Sequence, residues 1–306
     1  MKKSNLILIL ILLLGYACIS QINPKDSTVQ VIGYWDKNEK QSFLGSYEKY
    51  KVKDSDTTFT LKCKYDIDIT IKDSTETSYT IEWFYHNYKV EAENELIKKL
   101  SSLSDNMKVI IKTDELGVFL EVVNWQEIRD YMMKIGNSVK VELKSLPNID
   151  KVMEQVLSPY LSKKGIESNA LKDIQQFYTF HGGNYKLKEK LEGNLLTHNN
   201  YGETPFDTKV EVILDEIDEE EGNSIIRSYL VVDTEQLTNA TYEYLNSLAQ
   251  MNGQSVDKND IPAVQNETYV ASRIHGNTGW VIYTIQTRIV SAESTTNVEE
   301  TILELK

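Results

Sequence analysis

The chain is short of the residues that usually announce a chemistry. Its 306 residues include two cysteines and four histidines. Cys18 lies near the amino terminus and Cys63 is the other, so no internal disulfide forms once Cys18 is cleaved off or acylated. Stability must then come from packing. The histidines, His86, His181, His198 and His275, are scattered, and none pairs at metal-ligand spacing. There is no H-E-x-x-H, no P-loop and no G-x-G-x-x-G, so metalloprotease chemistry and nucleotide binding have no support. Positive charge is also scarce: 33 Lys and Arg face 46 Asp and Glu, a formal net charge of −13. Such a surface repels nucleic acid and anionic lipid head groups. After the first twenty residues no apolar run approaches the roughly 20 residues of a membrane-spanning helix.

What the chain does have is a distinctive start. Lys2 and Lys3 precede the apolar run from Leu6 to Leu14, and Gly15 to Ser20 follow. A basic start, a short apolar stretch and a small-residue zone are the layout of a secretory signal, so residues 1–20 are expected to direct export. Two cleavage readings stand. In one, Cys18 is acylated as in a bacterial lipoprotein, with Ala17 and Gly15 as the small residues before it. In the other, cleavage follows Ser20 and leaves Gln21 first. A multiply acylated cysteine would attach the domain to a membrane, since each buried methylene contributes about 0.8 kcal/mol. The remainder, residues 21–306, carries a net charge of −15 because Lys2 and Lys3 leave with the signal. It is long enough for one large domain, or for two coupled halves, 21–147 and 182–306, joined by a helical segment 148–181.

Hydrophobic patterning gives the fold class. Leu61, Cys63, Tyr65, Ile67, Ile69 and Ile71 alternate with Lys62, Lys64, Asp66, Asp68, Thr70 and Lys72. Period two with one apolar face predicts a long strand of an antiparallel sheet, with Cys63 as inert packing. Strands are likewise predicted over 79–90, where aromatics on both faces imply that both sides are at least partly covered, and over 107–112 and 118–123 around the turn at Gly117. Helical spacing predicts a helix over 91–104, helices across 125–180 interrupted at Pro159, and one whose stripe is Leu237, Tyr244, Leu245, Leu248 and Met251. Asn124, Ser168 and Asp233 are the expected caps, and Gly182-Gly183 the stop. Strands over 186–196, 208–217, 224–232, 269–274, 281–290 and 298–305 complete the pattern. Strand–helix–strand alternation is absent, so the class is α+β: a long, curved, largely antiparallel sheet packed against amphipathic helices.

Chemical motifs are weak. His181-Gly182-Gly183 lacks a G-x-S-x-G to partner it, and Ser46-Tyr47-Glu48-Lys49 matches S-x-x-K inside a strand rather than at a helix start. The acidic run Asp215, Glu216, Asp218, Glu219, Glu220, Glu221 fits no calcium loop and reads as a charged hairpin turn. Asp26-Ser27-Thr28, Asp56-Thr57-Thr58 and Asp73-Ser74-Thr75 are short acceptor-like patterns for O-glycosylation, in residues that also favour turns.

The signal layout, the Lys/Asn/Ile-rich composition, Gly33-Tyr34-Trp35-Asp36, Thr113 to Gly117 with Asn124, and Thr278-Gly279-Trp280 together resemble the exported proteins of Bacteroidetes. Some of these are similar to lipoprotein carriers, in which a curved antiparallel sheet wraps helices over an apolar cavity. That resemblance implies a fold and a mode of ligand binding, and no catalytic residue. The expected function is therefore a non-catalytic, cell-envelope protein that carries an apolar small molecule or lipid, with no cofactor, no metal and no nucleic-acid partner. The other reading is a surface or periplasmic module meeting a protein or glycan through exposed side chains such as Trp35 and Trp280.

Overall fold

The computed structural model describes residues 21–306 except 55, 200, 203 and 252, and only the backbone of 169 and 170. The signal segment, Cys18 and the bond after Ser20 lie outside the described residues. The order is β1 (Ile22–Asn23), β2 (Thr28–Gln30), β3 (Lys40–Lys53), β4 (Asp56–Ser74), β5 (Ser78–Ala92), α1 (Glu95–Ser101), β6 (Lys108–Asp114) and β7 (Phe119–Val122). Then come α2 (Trp125–Glu142), α3 (Ile149–Leu157), α4 (Lys172–Phe177), β8 (Asn184–Lys186), β9 (Lys190–Thr197), β10 (Phe206–Asp218) and β11 (Asn223–Val232). The chain ends with α5 (Thr234–Gln250), β12 (Val264–His275), β13 (Val281–Ala292) and β14 (Thr295–Leu305).

Eleven strands form one curved antiparallel sheet in the order β7-β6-β5-β4-β3-β14-β13-β12-β11-β10-β9. Two meanders, β3 to β7 and β9 to β14, are joined edge to edge by the β3–β14 pairing. The fold is broadly α+β but mostly sheet, with 48% strand against 25% helix. Register breaks, including those at Lys49/Tyr50, Leu214/Glu216 and Arg273/Ile274, add local twist to a sheet that already coils. A second sheet, β1-β2-β8, is small.

The alternation in β4 does what its sequence predicts. Cys63, Tyr65, Ile67, Ile69 and Ile71 are buried on one face. Cross-strand neighbours then carry a single buried row across the join: Tyr65, Gly45, Leu303, Thr284, Ser272, Ile226 and Leu214. Onto this inner face pack α2, α3 and α4. α2 buries Ile128, Met132, Gly136 and Val139, and a side chain on Gly136 would run into Leu157 of α3 at 2.7 Å. α4 is held at the join. Phe177 lies edge-on to Phe43 and Trp83 at 5.4 and 5.2 Å. Gln176 donates to Thr284 Oγ1 at 3.3 Å and to the Thr301 carbonyl at 3.2 Å.

Several local expectations are corrected. The helix expected over 91–104 is the shorter α1, because β5 continues through Ala92 and Asn94 provides the cap. Asn124 does not cap α2; its carboxamide accepts from Ile110 N and donates to the Lys108 carbonyl, serving the neighbouring strand. Ser168 does not cap α4 and lies instead in a π turn over Ile166–Ala170. Pro159 ends α3 as expected, opening a 3-10 turn over Ser158–Leu161. The strand expected over 186–196 is two, β8 and β9, broken at Lys188, whose φ is +62°. The outer side of β5 is partly covered, as its aromatics imply: Phe84 is half-buried, stacked on His86 at 5.0 Å with Lys108 over its ring. Asp233 does cap α5, accepting from Gln236 N at 2.8 Å. Of that helix's apolar stripe, however, Leu237 is buried while Tyr244, Leu245, Leu248 and Met251 are exposed.

Candidate functional site

The buried row at the join is followed, one residue pair further along the strands, by Cys63, Tyr47, Thr301, Gln286, Val270 and Ser228. The row after that brings Leu61, Lys49, Glu299, Arg288, Thr268 and Leu230. Helices do not fill the space above these rows, and two cavities open there. The larger, of about 370 Å³, lies over β10 to β14 under α4 and the start of α5. The smaller, of about 290 Å³, lies over β3, β4 and β5 beside α1 and Tyr160. Tyr47, Lys172 and Thr301 line both.

The larger cavity is amphipathic. Phe206, Leu230, Val232, Leu237, Val264 and Val290 supply apolar wall. Of its charged groups, Glu299 and Arg288 are paired, while Lys172 makes no ion pair among the described residues. Glu299 pairs with Lys49 at 3.0 Å and with Arg288 at 3.7 Å, and Arg288 Nε donates to Asn266 Oδ1 at 3.1 Å. Burial would raise the Glu299 carboxyl, but Lys172, Lys49 and Arg288 outweigh it and hold the group below its ordinary value. Burial, aided by the charge of Glu299, in turn pushes the Tyr47 phenol up.

The smaller cavity is aromatic and holds one carboxylate. Tyr65, Tyr85, Tyr88 and Tyr160 line it together with Cys63, Met107 and Asp173. Asp173 sits in the first turn of α4 and accepts from the Tyr65 hydroxyl at 2.8 Å. Protein atoms surround it on most sides, while its place on the cavity wall leaves it part-exposed. Burial raises its pKa from 3.8 to about 6, against the Tyr65 hydrogen bond and the charge of Lys172. Tyr65 reaches this position because Gly45 stands opposite it on β3. A Cβ there would lie 2.3 Å from the ring, so only glycine lets the phenol lie flat across the neighbouring strand.

Cys63 is buried, and burial with Asp173 nearby pushes its thiol up to about 12, so it stays protonated and unreactive. His198 lines the larger cavity. His181 is buried elsewhere, donating from Nε2 to the Gly279 carbonyl at 2.9 Å while Nδ1 lacks a partner. Burial lowers its pKa to about 4. His86 lies beside Asp68, and His275 beside Thr278. Among the described residues no group of three or more His, Cys, Asp or Glu side chains could hold a metal ion. Asp215 in the acidic run pairs with Lys188 and Arg227; Glu216 and Asp218 continue β10, and Glu219 to Gly222 form the β10–β11 hairpin turn, with Gly222 at φ +67°.

The three short motifs of the sequence converge on one structural knot rather than on an exposed surface. Trp35 and Trp280 are each 3% exposed, with ring centroids 5.3 Å apart, so neither offers a docking side chain. Gly33 N donates to the Leu116 carbonyl, and Tyr34 N to that of Thr278. Gly279, at φ +70°, has no room for a Cβ, which would fall 2.1 Å from the Ile32 carbonyl oxygen. The sequence pattern did not reveal Asp173, Lys172, Glu299, Arg288 or the tyrosine wall. Only the inward parity of Tyr65 and Cys63 on β4 signalled any of it.

No protein-family model matches the chain, and no curated protein matches it. Among solved structures the chain is similar to one titled "Lipid-protein interactions in lipovitellin", at 8% identity and a TM-score of 0.37. The likeness covers 89% of this chain and 25% of the lipovitellin chain, so this chain spans about a quarter of that protein's length. A likeness so distant carries no argument about function.

Proposed function

We propose that the protein is a non-catalytic carrier that holds an elongated apolar ligand along the inner face of its sheet. One observation supports this most: two adjoining cavities, of about 370 and 290 Å³, share Tyr47, Lys172 and Thr301 as common wall. Together they offer room of the size small-molecule sites use, roughly 300–1,000 Å³, with apolar side chains and a few fixed polar groups. A chain-like molecule fits such a shape better than a compact one.

Filling the larger cavity tests the proposal. Leu230→Trp places an indole there, and Ile285→Trp places one on the opposite face of the sheet. A fluorescent alkyl probe with an uncharged head should bind the parent protein and the Ile285 variant alike, and the Leu230 variant at least about tenfold more weakly, a loss of ~1.4 kcal/mol. Equal binding by all three proteins would remove the cavity from the account.

The proposal includes export through residues 1–20 and a place in the cell envelope, anchored through Cys18 or released by cleavage after Ser20. Metabolic labelling with palmitate decides between the two. Label lost in Cys18→Ala supports the anchor, and an unlabelled mature chain beginning at Gln21 supports release.

A second reading, that the protein is an interaction module, is favoured by one surface. Leu196, Tyr201, Tyr244 and Met251, on β9, on α5 and beside them, are 67, 46, 43 and 78% exposed. Cross-linking in envelope extracts, with and without Met251→Glu and Leu196→Glu, tests it.

A further inference from the structure

We infer that the smaller cavity is an ammonium site: it takes the cationic amine head of the carried ligand, with Asp173 as counter-charge and Tyr65, Tyr85, Tyr88 and Tyr160 as aromatic wall. The inference rests on the carrier reading and names its ligand class.

Three observations carry it. First, the carboxylate has no ion pair of its own among the described residues. Its one hydrogen bond comes from the Tyr65 hydroxyl, a neutral donor. The neighbouring Lys172 is felt by Asp173 and Glu299 as a charge, but it is exposed and pairs with neither. The other charged groups of the face are committed, Lys49 and Arg288 to Glu299. A carboxylate held in a cavity without a cation is stabilised by a ligand that brings one.

Second, the surrounding wall suits a cation. Tyr65 and Tyr88 stack at 4.7 Å, and Tyr85 lies 6.2 Å from Tyr65. Tyrosine faces attract organic ammonium groups, most strongly when both are desolvated, and quaternary ammonium groups tolerate the absence of hydrogen-bond acceptors. Burial and the charge of Asp173 hold Tyr65, Tyr85 and Tyr88 well above the ordinary phenol range, so the wall stays neutral. Third, an anionic head is excluded. It would meet Asp173 directly, with Asp105, which accepts from Tyr88 N at 3.4 Å, adding negative charge, and only the exposed Lys172 to offset them.

A purely structural role would have Asp173 simply tether α4 to β4 through Tyr65. An asparagine side chain at this position keeps an acceptor for that tether and removes the charge. The test uses isothermal titration of the full chain with decyltrimethylammonium, decanoate and decyl maltoside. At pH 7.5 the ammonium should bind about tenfold or more tightly than either other probe, the scale of one partly screened charge interaction. Asp173→Asn should abolish that preference and leave decyl maltoside unchanged. The unsubstituted protein should lose the preference over decyl maltoside at pH 5, where the carboxyl of Asp173 is protonated while Cys63 and the four phenols stay neutral. That arm does not depend on any variant folding. Equal affinity for the three probes, or a preference that survives both Asp173→Asn and pH 5, overturns the inference and leaves the carrier reading standing. Absence of binding by all three overturns both.

Discussion

Replacing Asp173 by asparagine should make the folded protein more stable at neutral pH. Removing a buried, hydrogen-bonded carboxylate ordinarily has the reverse effect. The sign follows from the direction in which burial moves this group, from 3.8 to about 6. Below pH 3.8 the carboxyl is protonated whether the chain is folded or not, and it imposes no penalty. As pH rises through that window the unfolded chain releases its proton first, so folding becomes less favourable. Above pH 6 both states are ionised and the penalty is complete, at about 3 kcal/mol. The asparagine variant would not carry it. Its side-chain carbonyl can still accept from Tyr65, while its new N–H donors need partners in the cavity, which takes back part of the gain. The expected net gain is about 1–2 kcal/mol at pH 7.5, and because the penalty vanishes at low pH while the cost of the N–H donors stays, it should turn into a loss of about 1–2 kcal/mol by about pH 3.5. Urea unfolding followed by tryptophan fluorescence at pH 7.5, 5.5 and 3.5 measures it, with the slope against urea unchanged. A variant less stable than the parent by a similar amount at every pH would refute the reasoning. It would show that Asp173 is a structural tether and not a strained site group.

Other outcomes are expected from the same structure. His181 is buried with its pKa lowered to about 4, so its contribution to stability is present above pH 6.5 and lost as pH falls toward 4. Because Asp173 acts oppositely in that window, the loss should be clearest in the Asp173→Asn background, and His181→Phe should flatten it. Gly45→Ala puts a Cβ 2.3 Å from the Tyr65 ring. It should cost about 1–3 kcal/mol in urea unfolding and weaken decyltrimethylammonium binding, as the displaced phenol leaves Asp173. Trp83, fully buried between Phe177 and Tyr85, should lose about 3–5 kcal/mol on truncation to alanine, read by the same unfolding assay. Cys63 should resist iodoacetamide at pH 8 in the native protein and react promptly in denaturant; modification of the folded chain would contradict its burial.

The strands were legible because their signal is local. In β4 the sequence repeats its burial every second residue, and the structure buries those residues. Elements whose ends depend on distant partners were less legible. Asn124 has the side chain of a cap and the position of one, yet strand β6 takes its carboxamide. The apolar stripe of α5 has helical spacing, but spacing does not reveal that β12 and β10, on which the helix packs, leave most of it uncovered. The site was least legible. Asp173 follows Lys172 in what reads as a polar helix face, and only the docking of α4 across the β3–β14 join turns it toward Tyr65. Residues 65 and 173 are 108 positions apart. No periodicity within one element signals that they meet.

The central claim, that an apolar chain lies along the inner face of the sheet, is tested most directly by photo-cross-linking with a dodecyl diazirine followed by peptide mapping. The account predicts adducts on the strands beneath the two cavities, at peptides containing Leu230, Val290 and Leu61, and competition by unlabelled dodecyl ligands. Adducts confined to the exposed stripe of α5 or to the outer face around Ile285, or an absence of competition, would contradict it.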